Sequence, residues 1–425
     1  MLVGGRSASC ALGRQLSRRH ISKTASTPNS DAISRAQKIQ TPEVQVPQSK
    51  WARLNKHNNN RALSTLQTKI APAEKGVSLV SKDESREFMA IFPDIVRDLT
   101  DAGRHTDIPE VNKWYTKVLQ YNVPNGKKNR GLAVVAAYKM LEEPENLTPE
   151  NVRLANILGW CVEILQAYLL MIDDVMDGSK MRRGAPCWYR NAGVGLNGIN
   201  DALMLNEGIY VILRKHFAHL PYYRDCVELF HEVSMKTMMG QSLDMMTSNT
   251  SSPLNLDSFT MKRYNSIVKY KTAYYSFQLP VTLAMHMAGK NDPEIHRQAK
   301  TILLEMGHFF QVQDDFLDCY GDQNVIGKTN ANDIYEGKCS WLVVVALQRA
   351  TPEQRKILDE NYGRPEPEAA QAVLKLFDQL GLPTTYAIYE EETNNLIRTH
   401  IQQISKGLPH NLFFKFMDKI YKRES

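Results

Sequence analysis

The chain has only six cysteines, Cys10, Cys161, Cys187, Cys226, Cys319 and Cys339, scattered over 425 residues with no Cys-x-x-Cys pair. That excludes a disulfide framework and a zinc knuckle, and fits a reduced, intracellular setting. No run approaches 18 uninterrupted apolar residues, so a membrane-spanning helix is not expected. Segments that alternate apolar and polar residues are scarce, which argues against a β-rich fold. Acid is missing from the first 30 residues, where Arg6, Arg14, Arg18, Arg19 and Lys23 carry most of the formal net charge of +6. The remainder is close to neutral and lacks the basic stripe of a nucleic-acid-binding protein.

The basic, Ser-rich leader has the composition of a mitochondrial transit peptide over residues 1–35. A matrix location is expected; if the leader is not functional, the protein stays in the cytoplasm. Residues 36–80 are polar, with stretches such as His57-Asn58-Asn59-Asn60, and read as a disordered linker. From 81 to 425 the texture is helical. Phe88, Ile91, Phe92, Ile95 and Val96 recur at helical spacing. The same pattern predicts helices over 110–121, 130–142, 150–178, 198–218, 222–247, 257–288, 293–320, 338–349, 367–380, 383–404 and 411–422. The expectation is one all-α domain of ten or more helices.

Two acidic clusters carry the chemistry. Asp173-Asp174-Val175-Met176-Asp177 ends a nearly wholly apolar segment, and Asp314-Asp315-Phe316-Leu317-Asp318 follows Phe309-Phe310-Gln311. On a helix, Asp173 and Asp177 share a face. Carboxylates at the end of a buried helix are costly and oppose its dipole unless cations neutralise them. Mg²⁺ takes oxygen ligands and is commonly shared with substrate phosphates. No acidic-glycine loop of an EF-hand accompanies either cluster. A basic complement is present: Gly126-Lys127-Lys128-Asn129-Arg130, then Arg182-Arg183, then Lys271, Lys328 and Lys338. Arg and Lys are the strong donors to phosphate oxygens. The combination suggests two diphosphate sites, one clamped through metal and one held directly on Arg and Lys.

From about Phe88 onward these motifs, with Gly240-Gln241-Ser242-Leu243-Asp244, Tyr270 to Phe277 and Lys338-Cys339-Ser340-Trp341-Leu342, resemble the animal-type farnesyl diphosphate synthases. The resemblance implies an all-α prenyltransferase bundle around a deep cavity, a homodimer and three Mg²⁺ ions. It implies Asp173, Asp177 and Asp314 as ligands, supported by Asp174, Asp315 and Asp318. It places an allylic diphosphate on Arg182, Lys271 and Lys328. Isopentenyl diphosphate falls on Lys127, Asn129, Arg130, Gln166, Arg183 and Arg423, with Lys338 among the substrate-binding lysines. An allylic carbocation would form, facing the backbone carbonyls of Lys271 and Thr272 and the amide oxygen of Gln311. Tyr168 and Leu169, one turn before Asp173, would floor the channel for the growing chain. Tyr168 keeps the bulk expected for a C15 stop, while Leu169 is smaller, which leaves C10 or C20 products open.

Three places depart from that family pattern. Asn125 replaces a glycine, the stretch 327–334 is one residue longer, and the chain ends Lys422-Arg423-Glu424-Ser425. They motivate one alternative, a terpene synthase that ionises and rearranges a prenyl diphosphate without coupling. A non-catalytic partner subunit is a further alternative, disfavoured by the two intact clusters.

Overall fold

The structure is a computed structural model that describes residues 78–100, 107–248, 254–321, 331–405 and 407–421. The expected transit peptide, nearly all of the linker, Lys328 and Arg423 lie outside the described residues. The folded region starts slightly before position 81, since Leu79 and Val80 are already buried in the core.

Helix follows helix. They are α1 (Lys82–Thr100), α2 (Pro109–Asn122), α3 (Asn129–Leu141), α4 (Pro149–Met176), α5 (Gly198–Phe217) and α6 (Tyr223–Ser248). Next come α7 (Met261–Ile267), a π-helical stretch (Val268–Gln278), α8 (Leu279–Met287) and α9 (Pro293–Tyr320). The short α10 (Asn332–Tyr335) leads to α11 (Trp341–Arg349), α12 (Pro352–Asn361), α13 (Pro367–Gln379), α14 (Leu382–Gln402) and α15 (His410–Ile420). Among the described residues the only sheet is a two-stranded hairpin, β1 (Met181–Arg182) against β2 (Ala185–Pro186). The all-α expectation holds.

The helices that carry the acidic clusters are built alike. Both α4 and α9 are 28 residues long. Each opens on a capped N-terminus with proline at the first helical position: Thr148 accepts from the Asn151 N–H, and Asp292 from the Glu294 N–H. The acids fall at the far end of each. Helix α4 is long and apolar enough by length and composition to cross a membrane, although Asn156, Glu163 and Gln166 interrupt its apolar run. It is instead the central core helix, with 83% of its apolar window buried. Trp160 on α4 stacks on Phe88 of α1 with ring centroids 4.5 Å apart and donates its indole N–H to the Phe88 carbonyl.

Two close approaches set the geometry around the cavity. Gly131 of α3 and Gly159 of α4 face each other so tightly that a Cβ at Gly159 would lie 2.6 Å from the Gly131 carbonyl oxygen. A Cβ at Gly240 of α6 would lie 2.1 Å from the Lys271 nitrogen, and one at Gly307 of α9 2.5 Å from Ala273 Cβ. The π-helical stretch is therefore gripped between two glycines, at the turn that bears Lys271 and Thr272. π-Helical segments often occur at functional sites.

Candidate active site

One cavity of about 1150 Å³ opens between the ends of α4 and α9. Asp173, Asp177 and Asp244 line it, with Lys271 and Thr272 from the π-helical stretch. Gln311 and Asp315 of α9, Arg182 of the hairpin, and Asp333, Glu336 and Lys338 complete its polar wall. Asp173 and Asp177 of the first cluster and Asp315 of the second thus border the same space.

The lysines and aspartates form an alternating network. Lys271 Nζ lies 2.7 Å from Asp244 Oδ2 and 3.1 Å from Asp173 Oδ1. Lys338 Nζ lies 2.8 Å from Asp177 Oδ2 and 3.3 Å from Asp244 Oδ2. Burial would raise the pKa of Asp173, but Lys271, Lys338 and Arg182 outweigh it and hold the carboxyl below its usual range. Burial opposes ionisation of Asp244 too, yet the same two lysines bring it to about 2. Asp177 moves the other way, raised by burial and the nearby Asp173 charge. Burial disfavours the charge on Lys271, but three carboxylates lift its pKa above the ordinary lysine value. Asp173 Oδ1 is buried, with the Lys271 ammonium 3.1 Å away.

Not all six cluster aspartates face the cavity. Asp174 is buried and takes Arg182 Nε at 2.9 Å and Nη2 at 2.5 Å, so this arginine is held by the cluster it was expected to complement. Asp315 has both oxygens engaged: Oδ2 accepts from Tyr264 and from the Trp341 N–H, each at 2.7 Å, and Oδ1 accepts from Gln311 at 2.9 Å. Burial and then the Asp333 charge push Asp315 up to about 8, so it braces Gln311 rather than offering an open ligand oxygen. Gln311 Oε1 in turn accepts from Thr272 at 3.0 Å, which ties the two expected carbocation-facing groups together. Asp314 is half-buried and, like Asp318, is not among the residues lining the cavity. Asp318 anchors the start of α10, accepting the Asp333 N–H at 3.0 Å. Tyr168 is 6% exposed and Leu169 half-buried against the core, and neither lines the cavity.

A second basic group lies beyond Arg182. Arg183 adopts left-handed backbone, φ +54°, a strained conformation for a side-chain-bearing residue. Its guanidinium donates to the Asn125 carbonyl and lies over Gly126, where a Cβ would come within 2.7 Å of Arg183 Cζ. Arg130, in the first turn of α3, donates to Ser276 Oγ at 2.9 Å and to the Tyr275 hydroxyl at 3.2 Å, with its guanidinium over the Tyr275 ring. Lys127 is exposed ahead of that turn and Asn129 half-buried within it. Gln166 lies between Glu163 and Arg130, and with its amide assigned so that the oxygen faces Arg130 it would accept from Nη1 at 2.8 Å. Beneath them lies Glu163, 2% exposed, whose Oε1 accepts the Gly131 N–H at 2.7 Å. Burial raises the Glu163 pKa, opposed by that N–H and by Arg130, Arg183 and Lys128.

Two of these acids were not foreseen as site residues. Asp244 stood in the sequence only as part of a motif. Glu163 is the one acid between Asn151 and Ile172, and an isolated acid on an otherwise buried helix is a readable signal.

An all-α bundle whose cavity is lined by Asp173, Asp177 and Asp315 with Arg182, Lys271 and Lys338, and which carries a second basic group beyond Arg182, fits the class of enzymes that handle prenyl diphosphates. The polyprenyl synthetase family model matches residues 112–380. The chain is 52% identical to the farnesyl pyrophosphate synthase of Murgantia histrionica over 345 residues, 81% of this chain and 84% of that one. It is 50% identical to the same-named enzyme of Nezara viridula over 375 residues, 88% and 90% of the two chains. Among solved structures, T. brucei farnesyl diphosphate synthase complexed with risedronate superposes with a TM-score of 0.75 at 30% identity, covering 80% of this chain and 100% of that one. The chain belongs to the polyprenyl synthetase family and is a prenyltransferase of isoprenoid biosynthesis.

Proposed function

We propose that the enzyme condenses isopentenyl diphosphate with dimethylallyl and then geranyl diphosphate, head to tail, to give farnesyl diphosphate. The observation that carries this reading is the divergence of two consecutive arginines. Arg182 joins the Asp173–Asp174 side of the cavity, and Arg183 joins the Asn125–Arg130 side. Such an arrangement supports two separate anions, which coupling needs and rearrangement of one substrate does not. The Asn125 departure leaves this intact, because Asn125 presents its backbone carbonyl to Arg183 and ties its side chain to the Tyr121 carbonyl at 2.7 Å. Coupling is therefore favoured over the terpene-synthase alternative.

The residues present fit magnesium. Asp173 and Asp177 face the cavity at one helix end, hard carboxylate oxygens of the kind Mg²⁺ takes. Among the described residues no three carboxylate, His or Cys side chains converge as a closed metal cage. Mg²⁺ commonly takes one or two protein carboxylates and is completed by water and substrate phosphate. When bound, magnesium, three ions by family resemblance, would neutralise charge on the departing diphosphate. Asp173 and Asp177 would hold it, joined by Asp314 as the family resemblance implies, and Asp174, Asp315 and Asp318 would position them. Lys271 would donate to the leaving group. The carbonyl dipoles of Lys271 and Thr272 and the Gln311 amide oxygen would face the allylic cation. Tyr168 and Leu169 would set chain length.

The homodimer reading is supported by large apolar side chains left exposed on α5 (Ile199, Leu203) and on α6 (Met235, Met238, Met239, Met246), which a second copy would cover. The homodimer expectation is tested by light scattering on the eluted protein, and a monomer at micromolar concentration contradicts it. The mitochondrial reading is tested by fusing residues 1–35 to a reporter. The central reaction is tested by product analysis, as set out at the end of the Discussion.

A further inference from the structure

Glu163 does not line the 1150 Å³ cavity, yet it interacts with Arg130, Arg183 and Lys128 of the second basic cluster. Its carboxylate can only accept hydrogen bonds when ionised. Oε1 takes the Gly131 N–H at 2.7 Å, in the first turn of α3. That turn needs such a partner, because its N-cap residue Lys128 makes no side-chain cap and Arg130 adds positive charge at the positive end of the helix dipole. Oε2 meets the Gln166 amide nitrogen at 3.3 Å, and the Gln166 oxygen meets Arg130 Nη1 at 2.8 Å. The opposite amide orientation would set oxygen against carboxylate and nitrogen against guanidinium. Donor and acceptor therefore alternate along one line, from the α3 backbone through Glu163 and Gln166 to Arg130. The close contact of Gly131 with Gly159 brings α3 near enough to α4 for that line to form.

We propose that Glu163 is a positioning residue for the second diphosphate: through the Gln166 amide it fixes the guanidinium of Arg130, without touching substrate. The proposal rests on the assignment of the Arg130–Arg183 cluster to isopentenyl diphosphate. Glu163→Gln keeps the volume and an acceptor for Gly131 but introduces an amide nitrogen facing Gln166. The Gln166 amide must then turn over, and its nitrogen faces Arg130.

The test is steady-state kinetics of the full chain with Mg²⁺, geranyl diphosphate and isopentenyl diphosphate. Glu163→Gln is expected to raise KM for isopentenyl diphosphate at least tenfold, with KM for geranyl diphosphate within about threefold of the parent. Gln166→Met, which cannot pass the relay, should show a similar defect. Adding Glu163→Gln to Gln166→Met should then cost no more than about twofold, because coupled residues are non-additive. Equal rises in both KM values, a fall in KM for isopentenyl diphosphate, or fully additive effects would each overturn the proposal. Arg183→Gln separates the two levels of inference. If it raises KM for isopentenyl diphosphate while Glu163→Gln does not, only the positioning role fails. If Arg183→Gln leaves that KM unchanged, the assignment of the site fails and the proposal with it.

Discussion

Arg182 and Arg183 follow one another in the chain but engage different partners: Arg182 Nε donates to Asp174 Oδ1 at 2.9 Å, whereas Arg183 donates to the Asn125 carbonyl. The hairpin thus divides its two cations between the two lobes of the site. Arg182→Leu leaves the buried Asp174 charge without its partner. Loss of about 3 kcal/mol of stability is expected from breaking a buried pair, read as a lower denaturant midpoint. An unchanged midpoint would mean that the pair is not held in solution.

Lys271 bridges Asp173 and Asp244. Lys271→Met removes the donor and leaves Asp244 with Lys338 Nζ at 3.3 Å and Asp173 with Arg182 Nη2 at 3.4 Å. A fall in kcat on the order of 100-fold is expected for loss of one pre-oriented donor to a leaving group. Single-turnover kinetics with geranyl diphosphate checks it. A normal rate with a raised KM would confine Lys271 to binding.

His308 offers a pH test away from the cavity. It lies on α9, with Nδ1 beside the Tyr389 hydroxyl at 3.2 Å and Nε2 beside Asn265 Oδ1 at 2.8 Å. Burial lowers its pKa from 6.5 to about 4. Because the folded value is depressed, the unfolded chain binds this proton first. The contribution is complete above about pH 6.5 and is lost as pH falls toward 4, by at most about 3 kcal/mol. Urea unfolding at pH 7 and pH 4.5 should show a smaller pH effect for His308→Gln than for the parent. Equal effects would place the pH sensitivity elsewhere.

Tyr168 is packed into the core one turn before Asp173. If it floors the elongation channel, Tyr168→Ala should shift the product from C15 toward C20, seen by chromatography of the dephosphorylated alcohols. A C15 product from a folded, active variant would show that the floor is set elsewhere.

Most of the fold was readable because the core faces of α2 to α6, α9 and α11 carry strong helical periodicity. Helix α12 was missed although Thr351 and Gln354 form a capping box, since its short exposed turns bury little beyond Leu358. The π-helical stretch was not legible. It depends on Gly240 and Gly307, distant in sequence, letting two flanking helices approach the backbone at Lys271 and Ala273. The cluster aspartates were legible as a group, but their division of labour was not. Asp174 and Asp315 differ from Asp173 only in which neighbours the fold brings to them: Arg182 for one, Tyr264 and the Trp341 N–H for the other. Asp244 and Glu163 each stand with no other acid within nine residues along the chain, and their partners Lys271, Lys338 and Gly131 lie 27 to 94 residues away.

The most direct test of the whole account is to incubate the purified chain with Mg²⁺, dimethylallyl diphosphate and isopentenyl diphosphate and to identify the product. The account expects farnesyl diphosphate as the main product, with geranyl diphosphate as an intermediate and no turnover of farnesyl diphosphate supplied alone. A hydrocarbon or alcohol formed from farnesyl diphosphate, without any condensation, would contradict it.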